Sequence, residues 1–152
     1  MATVSLAPAL RAAIVSRMTT LAGTGVLVTR GLVAFDTFDD VIVIGRVSSS
    51  SEPANFGTQR QREETLECEV VIYSFRAGGD EQESIVETQA YYLLGLLENY
   101  VRATDPTLGV DGVRHCFLTD HESDTATDPD VLSKGRLHII RATFTAAARL
   151  TS

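Results

Sequence analysis

The sequence predicts an α+β fold: a single domain in which a mostly antiparallel, twisted sheet of about five strands carries one main helix, with a second helix at the N-terminus. Three observations carry this expectation. From Leu66 to Phe75 the side chains alternate, with Leu66, Cys68, Val70 and Ile72 on one face and Glu67, Glu69, Val71, Tyr73 and Phe75 on the other. Just beyond, from residue 81 to 103, apolar residues recur at the spacing of one helical face. Finally, Gly135 to Leu150 alternates again over a run far longer than the common strand of about five or six residues. A length of 152 residues fits one domain.

In chain order, residues 5–22 read as the N-terminal helix, with Pro8 tolerated in its first turn and Leu10, Ile14, Met18 and Leu21 on a narrow stripe. Gly23 and Gly25 stop it. The Gly-Thr-Gly there follows a helix and precedes a strand, the wrong order for a loop that cradles phosphate at a helix N-terminus. Val26 to Val33 and Val41 to Val47 read as strands, joined through Asp36, Asp39 and Asp40, which suit a solvated turn better than a cation site. Residues 48–61, a serine run followed by Glu52, Pro53 and a single Phe56, have no periodicity and read as a long loop.

The main helix is expected over residues 81–103. Asp80 would be its N-cap and Glu83 the returning partner of a capping box. Ile85, Val86, Gln89, Tyr92, Leu93, Leu96, Leu97, Tyr100 and Val101 would form its apolar face. Asp105 and Pro106 end it. Val113 to His121 reads as a strand, and residues 120–134, rich in Asp and Glu around His121 and Pro129, as an acidic loop. A compact domain of this size has a radius of gyration of about 15 Å. The closing strand should therefore overhang its neighbours, or pair with another subunit.

The formal net charge of −7, with thirteen scattered Lys and Arg, argues against a surface that grips phosphates. No apolar run reaches the roughly 20 residues of a membrane span, and Arg11 and Arg17 break the N-terminal segment where a signal peptide needs its apolar centre. The expectation is a chain that neither spans a membrane nor is secreted. Cys68 and Cys116 sit in strand-like runs without metal-ligand spacing, and are expected to be reduced and buried.

Several stretches together resemble the tail terminator family of long-tailed bacteriophages, particularly those of phages of actinobacteria. They are Arg62-Glu63-Glu64 before the central strand, Gly78-Gly79-Asp80 before the main helix, and Leu93, Leu96, Leu97 and Glu98 within it. Asp105-Pro106-Thr107-Leu108-Gly109-Val110, the acidic insert and the closing strand from Gly135-Arg136 complete the likeness, which runs from Val26 onward. The resemblance implies a structural virion protein with no catalytic residues and no cofactor or metal. Its implied form is a homo-oligomeric, hexameric ring that caps the head-proximal end of the tail tube, ends tail polymerisation and offers a docking surface to the head-side connector. Its implied partners are the tail tube protein and a connector or stopper protein, with DNA passing through the lumen unbound. It would reside in the host cytoplasm during assembly and in the virion thereafter.

The interface candidates are Asn55, Phe56, Arg60, Arg62, Tyr73, Phe75, His121, Glu122, Asp124, Arg141 and Thr143. Two other readings compete. One is a stopper or neck ring on the head side of the same junction. The other is a small metal- or ligand-binding enzyme built on the acidic insert, against which stands the lack of a nucleophile elbow, P-loop, HExxH or cysteine cluster.

Overall fold

The computed structural model describes residues 4–31, 39–54 and 61–151. Its elements are α1 (Ala7–Ala22), β1 (Val26–Arg30), β2 (Asp40–Pro53), β3 (Arg62–Ala77), a 3-10 turn (Asp80–Gln82), α2 (Glu83–Ala103), β4 (Val113–Thr125), the short α3 (Pro129–Leu132) and β5 (Gly135–Leu150). The strands form one five-stranded sheet in the order β1-β2-β3-β5-β4. The β1–β2 pair is parallel, and the other pairings are antiparallel. This is the expected α+β architecture.

Both long helices lie on one face of the sheet. Leu10, Ile14 and Met18 of α1 and Leu93, Leu97 and Val101 of α2 are buried against Ile42, Ile44, Leu66, Ile72, Ile140 and Phe144 of the strands. Burying such side chains is worth about 1.5–3 kcal/mol each, which makes this layer the main source of stability. Cys68 and Cys116 belong to it as free thiols. A smaller cluster of Val41, Val43 and Val71, flanked by Leu27, Tyr73 and Ile139, occupies the opposite face at the β1 end of the sheet.

The structure differs from the sequence reading at four places. The serine run is not a loop: β2 continues to Pro53, and Val47 to Pro53 pair in register with Cys68 to Arg62. What remains of the expected 48–61 loop is closed at its base by the Ala54 N–H donating to the Gln61 carbonyl at 2.9 Å. The acidic stretch behaves alike. Asp120 to Thr125 belong to β4 and pair with Thr143 to His138, so the non-strand part of the 120–134 insert begins only at Ala126. In both cases backbone pairing with a long central strand overrides a polar composition that signals a turn.

The third correction concerns β5, which does not overhang. Its sixteen residues pair with all sixteen of β3, and on its other side with β4 from Ala148 to His138. Length reflects a central position, since its neighbours are almost equally long. Gly135 shows how tightly β3 and β5 close together: a Cβ there would lie 2.2 Å from the Arg76 carbonyl oxygen.

The fourth is the start of the main helix. No side chain caps it; Asp80 and Glu83 instead bind Arg136 of β5, at 2.7 and 3.1 Å, while Glu81 accepts the Gly79 N–H at 3.0 Å. A long-range cation thus replaces the local capping box. The apolar face is also narrower than expected: Val86, Ala90, Leu93, Leu94, Leu97 and Val101 are buried, whereas Ile85 and Tyr92 are 48% and 59% exposed. The remaining expected strand, Val26 to Val33, is seen as β1 to Arg30, and residues 32–38, Asp36 among them, lie outside the described residues.

The motif after α2 has a structural reason. The Asp105 carboxylate accepts the Thr107 N–H and hydroxyl at 3.0 and 2.7 Å, which holds its pKa below the ordinary range, and Leu108 and Gly109 both take positive φ. Leu108 is not a residue that favours φ of 53°, and its burial offsets the strain. The tight reversal delivers the chain into β4.

Candidate functional site

The expected interface residues do not form one patch. Asn55, Phe56 and Arg60 lie outside the described residues. Arg62 stands at one end of β3, about 36 Å along the strand from Tyr73. There its guanidinium donates to the Val4 carbonyl, beside a latch made by the next two residues, Glu63 and Glu64.

Glu64 is buried, and its two carboxylate oxygens accept the Leu6 N–H and the Ser49 hydroxyl, both at 2.8 Å. It thereby ties the start of α1 to β2 and β3. Glu63, on the open face, accepts from Arg114 of β4 and Arg149 of β5, each at 2.7 Å. The Arg149 hydrogen bond first, and then the charges of Arg114 and Arg149, hold the Glu63 carboxyl below its usual pKa. Arg62-Glu63-Glu64 therefore join four strands and a helix at this end of the sheet.

The other seven described candidates divide by strand pleat. Tyr73, Arg141, Thr143, Glu122 and Asp124 lie on the sheet face that carries no helix. Register places Arg141 between Val71 of β3 and Glu122 of β4, and Tyr73 and Asp124 on either side of Ile139. Phe75 continues the Tyr73 row and is half-buried beside Gly135. His121 points the other way. It lies against α2, its ring 5.7 Å from that of Tyr91 in an edge-on contact, and the Tyr91 hydroxyl donates to Ser123 at 3.0 Å. The acidic stretch therefore splits into two rows: Asp120, Glu122 and Asp124 on the open face, and His121, Ser123 and Thr125 under the helix.

A polar network at the α2 end escaped the sequence reading. Asp40, only 5% exposed, accepts from Ser74 at 2.7 Å, from both terminal nitrogens of Arg76 at 3.0 and 3.1 Å, and from Gln89 at 3.2 Å. The hydrogen bond to Asp40 raises the Arg76 pKa above its ordinary value. Asp40 is thus fully occupied as a structural anchor between β2, β3 and α2, not a turn carboxylate. Gln89, placed on the apolar face by its spacing, was the available signal. Among the described residues, no group of three or more His, Cys, Asp or Glu side chains is gathered as a metal site would require.

No family model matches the sequence, and no curated protein matches it. Among solved structures, the chain is similar to one from the virion of a native gene transfer agent particle. The TM-score is 0.59 at 16% identity, and the match covers 97% of this chain and 99% of that one. At this identity the likeness establishes a shared fold, end to end.

Proposed function

We propose that this chain is a structural protein of a phage-like virion: a tail terminator whose ring, of about six subunits, closes the head-proximal end of the tail tube and receives the head connector. The observation that carries this reading is the end-to-end match of its fold to a chain of a virion particle, with almost nothing left over in either. The family resemblance of the sequence adds the position within the particle. The structure supplies reasons for the motifs on which that resemblance rests: the Arg62-Glu63-Glu64 latch, the turn at Asp105-Pro106 and the junction of Arg136 with Asp80.

The acidic balance suits a lumen through which DNA slides, because a cationic wall would hold phosphates. On this reading Tyr73, Phe75, Glu122, Asp124, Arg141 and Thr143 belong to one face that meets the lumen or the tube, and His121 to the opposite side.

Native mass together with negative-stain images of the purified protein tests the proposal. A ring with a central hole wide enough for duplex DNA is the expected result. A monomer that also fails to bind the ends of tail tubes would overturn it. A head-side stopper ring would give the same particle but would label away from the tube end when antibodies are used to locate the protein in virions.

A further inference from the structure

Among the described residues the sheet ends at β4 on one side and at the short β1 on the other, and beyond β1 the edge of β2 is left without a partner as well. β1 pairs with β2 only from Asp40 to Ile44, so the outer edge of β2 is uncovered from Val47 to Pro53. At the far side, β4 pairs with β5 along one edge and has nothing on the other. Each is an exposed row of backbone donors and acceptors, the feature that templates strand addition.

Their placement is specific. Following the registers across the sheet, Phe117 of β4 lies level with Thr145, Glu67 and Ser48 in turn, and His115 lies level with Ala147, Thr65 and Ser50. Val113 to Leu118 of β4 is therefore level with Ser51 to Val47 of β2, which a flat ring with no rise per subunit requires. Three antiparallel steps separate β2 from β4, so the two strands run in opposite directions. A rotation about an axis along the strands then brings them together as an antiparallel pair.

β4 is irregular at two places, between Val113 and His115 at the foot of this segment and between Leu118 and Asp120, and the second is level with the irregularity of β2 between Ile44 and Val47, where β1 ends at Arg30. A bulge bends its strand, and here it would carry the upper part of β4 clear of the neighbour's β1. That upper part bears exposed Asp120, Glu122 and Asp124, whereas the opposite edge at that height bears exposed Arg30 and Arg46.

We infer that a second copy of this chain docks here, with the β4 edge at Val113 to Leu118 pairing antiparallel to the β2 edge at Val47 to Ser51 of its neighbour. This extends the sheet around the assembly. The inference rests on the ring reading and specifies its interface. The contact is heterologous, so it repeats until rotation closes it. Pairing of β4 with itself would leave Asp120, Glu122 and Asp124 away from the edge that bears Arg30 and Arg46.

Engineered cysteines test the pairing, because Cys68 and Cys116 are buried and contribute little background. The double variant S50C/H115C should, on oxidation of the assembled protein, give a ladder of covalent multimers up to the full subunit number. F117C replaces H115C to sample the adjacent level. Neither S50C nor H115C alone should cross-link, since a heterologous contact pairs unlike edges.

As a second measurement, Ser51→Pro removes an N–H that points away from β3, by alternation from the Ala54 N–H that points toward it, and this variant should keep wild-type thermal unfolding yet fall to monomer mass. Dimers from a single-cysteine variant would overturn the inference. So would a wild-type ring that gives no ladder from either pair, an outcome that leaves the ring reading standing. Monomeric wild-type protein that yields no ladder and also fails to bind the ends of tail tubes would sink both.

Discussion

The centre of the sheet and its margins are built on opposite terms. β3 and β5 are sixteen residues each, paired with one another throughout and flanked on both sides, and their helix-facing residues from Leu66 to Ile72 and from Ile140 to Ala148 are buried without interruption. β2 and β4, of fourteen and thirteen residues, are almost as long, but among the described residues the distal half of β2 and the whole of β4 have one edge uncovered, with Ser49 to Pro53 and Thr119 to Asp124 exposed. The difference teaches that strand length identifies the centre of this sheet, and polarity its working edges. In the margins the backbone is ordered by pairing on one side alone, and that leaves a strand available to another chain.

The largest effect should follow from breaking the centre. Thr143→Pro removes an N–H in a strand paired on both sides and should cost about 3 kcal/mol or more, read as loss of cooperative unfolding in urea and of the folded circular-dichroism signal. A folded monomer from this variant would contradict the central placement of β5, since the same change in an edge strand is tolerated. Next is Gly135→Ala, where the new Cβ meets the Arg76 carbonyl and the backbone of Ala77. Backbone cannot swing aside as a side chain does, so a loss of about 2–3 kcal/mol in urea unfolding is expected.

The two cysteines compare a central strand with a marginal one directly. Burial pushes the Cys68 thiol of β3 up to about 11, and that of Cys116 in β4 to about 12, from an ordinary value of 9.0. The edge strand is thus as dry on its helix-facing side as the centre. Folding favours the protonated thiols, so their contribution to stability is complete below pH 9 and declines as pH rises from about 9 towards 11 for Cys68 and 12 for Cys116. Each thiol should add about 1 kcal/mol per pH unit to that decline. Urea unfolding between pH 8 and 10.5 should show a shallower slope for Cys116→Ala than for the wild type; equal slopes would mean that β4 is wetter than the structure has it.

How much of this was legible in sequence follows from the same contrast. The core face of β3, the α1 stripe and the bounds of β5 could be read because alternation and helical spacing survive wherever one side is dry. Ser48 to Pro53 and Glu122 to Thr125 could not, because a strand wet on both faces and at one edge loses its period-two signal and looks like a turn. The interface candidates suffered for the same reason. His121 and Glu122 are adjacent in sequence but lie on opposite faces, and only the pairing of β4 with β5 reveals it. The capping box at Asp80 and Glu83 failed differently: its competitor, Arg136, is more than fifty residues away, beyond what local spacing can register.

The smallest effect is expected where the chain's own packing stops on the outside of α2. Leu21, Tyr92, Gly95, Leu96, Asn99, Tyr100 and Thr104 line an open groove between the two helices, and a Cβ at Gly95 would meet nothing within 4 Å. Glycine in a helix interior costs about 0.8–1 kcal/mol relative to alanine. Gly95→Ala should therefore raise stability by roughly that amount in urea, the opposite sign to Gly135→Ala. The pair separates a glycine required by close approach of two strands from one that the isolated fold does not need. If Gly95→Ala instead destabilises the folded chain, the groove is closed from within, and the outer stripe of α2 belongs with the centre of the molecule rather than with its open margins.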